Sequence, residues 1–475
     1  MADNMKKTNN RIVILGAGPA GLSCAYSLLH RFKKNIKLTV IEKESYIGGL
    51  ASGFEYGGLI FDYGSHRLHP TTRADILHDI REMLGNDLLD RPRDGRIHLL
   101  DRFVKFPLKI TDFMFRLPFS FFLGILRDMF FKPFRKKMKN PKTFSDVLLP
   151  GLGRTICKHF YFPYAEKLWG FPPEKLSFIQ AQRRVSANSI GKIIQKVLSL
   201  IPIFRKKGTG RFYYPKKGFL QLFQAFAGKI RKCGGDILLS HTVREIDIEK
   251  QYIVTDRGKK IGYDLLFSTI PVPDLIGAIQ PAPPQEVRDA ASRIQYRGML
   301  FCYLILNVQQ FTRYDAHYFP DKYLIFSRLS EPKNYSASVL PRGLTGLCAE
   351  IPCAVGGQLW NASGEEIAKK VMDDLDRVGL PVKHLVNKSF VRRTGYAYPS
   401  YNLAFEKRIS TIEDYLNTIP HLVSLGRQAL FVHDNTHHTI EMGYAASDCV
   451  RSDLAWDSVK WGMYREGFKE HVVED

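Results

Sequence analysis

The run IVILGAGPAGLSC at residues 12–24 constrains this chain more than any other stretch. An apolar strand-like run, Ile12 to Leu15, breaks at Gly16, and Gly18 and Gly21 complete G-x-G-x-x-G. A helix-like pattern follows to Leu29, and LTVIE at 38–42 reads as a second strand ending in an acid. Each glycine has a separate task. Gly16 permits the tight turn, Gly18 lets a pyrophosphate approach the backbone, and Gly21 lets helix and strand pack closely. The helix start presents unpaired N–H groups to the phosphates. Glu42, about twenty residues on, is placed to take a ribose hydroxyl. The chain therefore opens with a dinucleotide-binding strand–turn–helix–strand unit.

The fingerprint alone does not choose the dinucleotide. After Glu42 the chain reads EKESYIGGLASG at 42–53, then FDYGSHRLH at 61–69. A second glycine pair, Gly48-Gly49, opens a loop with backbone amides free to reach a cofactor. At the far end, LGRQALF at 425–431 is followed by NTHHTIEMGYAA at 435–446, a strand ending in Gly-Arg, a loop, and a helix starting near Thr439. In these segments the chain resembles the FAD-binding amine oxidase superfamily, on the branch that includes protoporphyrinogen oxidases and UDP-galactopyranose mutases. The resemblance implies FAD. It implies cofactor contacts from Gly16, Gly18, Pro19, Ala20, Gly21, Glu42, Lys43, Gly49, Leu50, Ala51, His66, Gly426, Arg427 and Gly443. His66 falls where the family has a histidine near the flavin ring, which implies a stacking or redox-tuning role.

Middle segments carry the same likeness. YAEKLWG at 164–170 with Arg183-Arg184 after it, QYRG at 295–298, FSRLSEPKNY at 326–335 and AYPSY at 397–401 resemble segments of the mutases. The resemblance implies a substrate pocket shaped by Tyr164, Trp169, Tyr398 and Tyr401. It implies anion-holding arginines at Arg183 or its neighbour Arg184, at Arg297 and at Arg328. Planar, bidentate guanidiniums suit phosphate and carboxylate better than ammonium groups do. His66, Arg297 and Arg328 are the expected catalytic residues. One departure stands out: the mutases carry tyrosines after the C-terminal Gly-Arg, and here that loop reads FVHDN at 431–435.

The formal charge is +22. Nucleic acid, a membrane surface and an acidic small molecule could each explain it. No helix-turn-helix, finger or aromatic-basic RNA motif is present, which argues against nucleic acid. The basic residues gather around two apolar stretches. At 103–139, FMFRLPFSFFLGILRDMFF runs into KPFRKKMK; at 190–211, IIQKVLSLIPIF runs into RKK. Internal charges argue against a spanning helix, whereas Phe and Leu flanked by Lys and Arg suit a helix lying in the interface. The expected partners are a small anionic substrate and, at these stretches, a membrane surface, with a homodimer left open. Seven isolated cysteines and a polar first ten residues point to a reducing compartment, hence the cytoplasm, with the inner membrane face as the alternative site. Histidine and cysteine spacings match no standard metal set, so no metal is expected.

The expected fold is α/β: a Rossmann-type FAD-binding domain assembled from 1–95, 212–292 and 391–475, with an inserted α+β substrate domain from 96–211 and 293–390. The expected activity is FAD-dependent oxidoreduction by hydride transfer at flavin N5, on an anionic substrate that is lipid-linked or sugar-containing. Two alternatives remain: a redox-neutral sugar-nucleotide isomerase using reduced FAD, and a non-catalytic flavin-binding protein of the membrane surface.

Overall fold

A computed structural model describes residues 10–106, 115–135, 139–184 and 210–473. The apolar stretch at 190–209, Lys136 and Lys137 lie outside the described residues, as does the side chain of Arg184.

Five parallel strands form the first sheet, in the order Leu422–Ser424, Leu265–Ser268, Asn10–Leu15, Ile36–Ile41, Asp236–Leu238. Leu15 is level with both Ile41 and Ser268, so three strands end together. Residues 12–15 are buried on both faces, as expected of a parallel strand covered by helices. The helix Pro19–Phe32 is buried along nearly all its length, because the helices Leu220–Lys232 and Thr436–Asp448 pack on it. Proline at its start costs no hydrogen bond, since that N–H would be unpaired anyway.

The second sheet has seven strands. Their order is Val386–Pro399, Tyr296–Leu306, Thr345–Cys353, Arg328–Ser330, Ala316–Tyr318, Gly95–Leu99, Arg102–Phe106. All neighbours are antiparallel except the pair of Ala316–Tyr318 with Gly95–Leu99. Helix Gly364–Arg377, opened by a Ser363–Glu366 capping box, covers one face through Ile367, Val371 and Leu375. Phe61 and Tyr303 fill the other face. The boundaries expected at 95 and 391 fall inside strands of this sheet. The hydrophobic run at 323–326 is a turn. Strands Asp236–Leu238 and Val243–Asp247, though close in sequence, belong to different sheets.

Helix Phe119–Phe130 stands apart. Leu117 and Phe121 turn inward, whereas Phe115, Phe119, Leu123, Leu126, Phe130 and Phe134 recur every three or four residues and face solvent. Among the described residues no helix is long and apolar enough to cross a membrane.

Candidate functional site

A cavity of about 780 Å³ runs from the carboxyl ends of the parallel strands to the seven-stranded sheet. Leu15, Ile41 and Thr269 mark the strand ends, and Ser327, Arg328, Glu350 and Tyr398 mark the sheet. That is where open α/β sheets hold ligands, and the size suits a cofactor with room beyond it.

The first end is made of backbone. Gly16 has φ +100° and donates its N–H to Ile41 O at 2.7 Å; a Cβ there would collide with Thr269 Oγ1. Gly48, at φ +96°, donates to Ala17 O at 2.8 Å and so locks the second glycine loop against the first. Gly18 and Gly49 then face each other, and a Cβ on Gly49 would lie 3.3 Å from the Gly18 Cα. Pro19 and Ala20 of the helix start, with Leu50 and Ala51 of the second loop, line the same space. The first helical turn carries no acidic residue and Gly18 offers no side-chain cap, which leaves the N–H groups for an anion. Glu42 Oε2 accepts from Ala17 N at 2.8 Å and Oε1 from Glu44 N at 3.0 Å. Burial raises its pKa and these bonds oppose the rise. Each oxygen keeps a second lone pair for a ribose hydroxyl. Lys43 lines the cavity with Nζ 5.6 Å above the Tyr396 ring.

Gly21 and Gly443 do not line the cavity; they are packing positions. A Cβ on Gly21 would meet the Gly16 carbonyl, and one on Gly443 would lie 2.6 Å from Ala20 O. Sequence reasoning missed the lining from Thr242 to Arg244 and at Ile270, Pro271 and Asp274. Its signal was the apolar strand ending before Pro271, because ligands sit at strand carboxyl ends.

The other end is made of side chains. His66 Nε2 lies 2.8 Å from Tyr63 O, so that nitrogen carries the hydrogen and donates, leaving Nδ1 as an acceptor. Its ring stacks on Phe219 at 5.7 Å, and burial lowers its pKa to about 4. It is neutral at physiological pH. Arg328 donates through Nε and Nη2 to Glu350 Oε1 and Oε2, both at 2.7 Å. Burial alone would lower the Arg328 pKa; the Glu350 charge and hydrogen bonds override it and hold the guanidinium well above its ordinary value. Glu350 Oε1 also accepts from Ser65 N at 2.8 Å, so one carboxylate positions both Arg328 and the loop bearing His66. Sequence reasoning missed Glu350. The signal was a lone acid in the otherwise uncharged strand TGLCAEIPC.

Tyr164 and Tyr398 line this end, Tyr164 stacked on Phe160 and Tyr398 on His433. Gly426 and Arg427 line the cavity as well, Gly426 beside Ala20 and Thr269 at the glycine end. Arg427 donates to Ala397 O at 2.8 Å and lies 5.0 Å above the Tyr398 ring. Four residues expected at the substrate do not line the cavity. Arg183 donates to Phe468 O at 3.0 Å and pairs with Asp434 at 3.6 Å, so it anchors the C-terminal segment. Arg297 reaches Lys167 O at 3.5 Å and Pro352 O at 3.4 Å beneath Gly170. Trp169 is core beside Phe144. Tyr401 stacks on Phe405 at 4.1 Å and donates to Phe431 O at 2.8 Å.

The C-terminal loop holds an arrangement that the spacings did not suggest. Donor atoms of Asp434, His438 and His471 lie within 4.8 Å of one another, close enough to hold a metal ion. The His438 and His471 rings stack at 4.1 Å, and Arg183 already faces Asp434.

Residues 19–452 match the family of flavin-containing amine oxidoreductases. The chain belongs to that family. FAD is accordingly its cofactor, and the cradle fits it: two glycine turns that side chains would fill, free helix N–H groups, and a carboxylate beside them. A solved structure of a reduced UDP-galactopyranose mutase is 20% identical with a TM-score of 0.79, covering 98% of this chain and 100% of that one. A putative protoporphyrinogen oxidase from Exiguobacterium sp. 255-15 is 18% identical at TM-score 0.70, covering 96% and 99%. These likenesses show the fold. Prenylcysteine oxidase 1 of Mus musculus is 39% identical over 61 residues, which is 13% of this chain and 12% of that protein's length.

Proposed function

We propose that this FAD-dependent oxidoreductase takes hydride from an anionic, lipid-linked or sugar-containing substrate seated between the glycine cradle and the wall of His66, Arg328 and Glu350. FAD, when bound, supplies an acceptor for two electrons and a hydrogen. The chain's own groups do the rest. His66 is held neutral and offers an acceptor at Nδ1. Arg328 is fixed by Glu350 and presents a preorganised positive edge to charge that develops in the reaction. Tyr164 and Tyr398 flank the space and help exclude water. The observation that carries the reading is this locked pair, Arg328 with Glu350, lining the same cavity as Gly18 and Gly49.

The test is an anaerobic screen of FAD-loaded protein against amines, porphyrinogens, lipid-linked sugars and sugar nucleotides. One class should bleach the flavin and turn over when an oxidant is restored. Isomerisation of a sugar nucleotide by reduced protein, without net consumption of reductant, would instead establish the redox-neutral alternative, which Tyr164 and Tyr398 in the cavity favour. No flavin response to any class would leave the non-catalytic reading.

We propose further that helix Phe119–Phe130 docks on an anionic membrane surface. The observation is its outward apolar face: Phe119 is 69% exposed and Phe130 71%, with exposed Phe115 and Phe134 beyond its two ends, among Arg116, Arg127, Lys132 and Arg135. Aromatic side chains bordered by cations suit the headgroup region. Flotation with phosphatidylserine vesicles should be lost on replacing Phe119, Phe130 and Phe134 by Ser. Unchanged flotation would refute the docking.

A further inference from the structure

We propose that Arg67 and Arg93 form a subsite for a phosphate-type oxyanion of the substrate, which deepens the reading above and rests on it. Neither arginine was singled out by motif, yet both line the cavity. Arg67 follows His66 directly in the chain. Arg93 leaves the strand Leu88–Pro92, whose pairing with Arg211–Pro215 continues as Arg93 N donating to Gly210 O at 2.8 Å.

Their surroundings are short of negative charge. Arg67 donates to Tyr335 Oη at 3.1 Å and lies against the Phe212 and Tyr335 rings at 5.0 and 5.2 Å; its acid is Asp315, at 3.4 Å. Arg93 donates to Tyr318 Oη at 3.2 Å and lies 4.6 Å above Phe106. Neighbouring Arg91 donates to the Asn334 carbonyl. Arg96 is paired with Asp94, and Arg211 with Asp90. Asp315 faces Arg67, and among the described residues no carboxylate pairs with Arg93. The Nε groups of Arg67, Arg91 and Arg93 are buried without a hydrogen-bond partner, as is Asp315 Oδ2, which faces Arg67. Buried donors and cations are normally satisfied. Ring faces hold both guanidinium planes in place, so the forks are preorganised for oxygens in a way that flexible ammonium groups are not. Two guanidiniums held by ring faces on the wall of one cavity, one of them without a carboxylate partner among the described residues, describe a place for an oxyanion.

The experiment is calorimetric titration of FAD-loaded protein with inorganic pyrophosphate. Saturable binding is expected, weakened at least about tenfold by Arg67→Gln and by Arg93→Gln, the size of a lost charged hydrogen bond. Arg67→Lys and Arg93→Lys should also weaken it while keeping the charge and the fold. Asp315→Asn should strengthen binding, because it removes the carboxylate that competes for Arg67; a purely structural role for the arginines would not give that sign. Pyrophosphate binding that is absent, or indifferent to Arg67 and Arg93, overturns the subsite. The FAD content of the same samples separates this from the broader reading: a protein that holds FAD but ignores pyrophosphate loses only the subsite, whereas one that cannot hold FAD loses both.

Discussion

The two ends of the cavity are built from different materials. The cofactor end is backbone: Gly16, Gly18, Gly48 and Gly49 in two turns locked by the bond from Gly48 N to Ala17 O. The substrate end is side chain: His66, Arg67, Arg93, Tyr164, Arg328, Glu350 and Tyr398, from segments scattered over the chain. Backbone geometry of the first kind leaves a local signature, because only glycine tolerates the close approach. Side-chain geometry of the second kind does not, because an arginine's role depends on what the fold sets beside it.

Perturbing each end separately should break one and spare the other. The largest effect is expected from Gly21→Ala. Its Cβ would be driven into the Gly16 carbonyl, so helix and strand must separate. FAD content should fall close to zero, with roughly 3 kcal/mol lost in denaturant unfolding. Retained FAD would show that the cradle does not need this packing. Next comes Glu350→Gln, which leaves Arg328 charged, buried and without its carboxylate. The amide keeps one oxygen as acceptor for Arg328, so the loss of the charged hydrogen bond costs about 2 kcal/mol. FAD should nevertheless stay bound, and substrate-driven flavin reduction should be lost.

His66 gives a pH test. Its pKa is about 4 when folded, below an ordinary value near 6.5, so between these pH values the unfolded chain binds more protons. Its contribution is fully present above about pH 6.5 and is lost as pH falls towards 4, about 3 kcal/mol in all. Stability measured against pH should flatten over that window in His66→Asn; an unchanged slope would remove His66 from the account. The smallest effect is expected from Tyr401→Phe, about 1 kcal/mol for the bond to Phe431 O, with KM unchanged. A raised KM would return Tyr401 to the substrate.

The same contrast explains what the sequence disclosed. The parallel sheet and the turn at Gly16 were legible because an apolar strand, three glycines and Glu42 constrain one another within thirty-odd residues. Arg183 and Arg297 sit in segments like those of substrate arginines, yet the fold spends them on carbonyls of the C-terminal segment and of Lys167 and Pro352. Glu350 was hidden inside an apolar strand and Arg67 behind a histidine motif. The exposed stripe of helix Phe119–Phe130 was half legible. Its apolar period was plain, but which face met solvent depended on the packing of Leu117 and Phe121.

The division of the cavity can be tested most directly by releasing the chromophore from purified protein and quantifying it in Gly18→Val and Arg93→Gln beside the unaltered chain. The account predicts equimolar FAD in the unaltered chain and in Arg93→Gln, and none in Gly18→Val. FAD retained in Gly18→Val but lost in Arg93→Gln, or a nicotinamide dinucleotide in place of FAD, would contradict it.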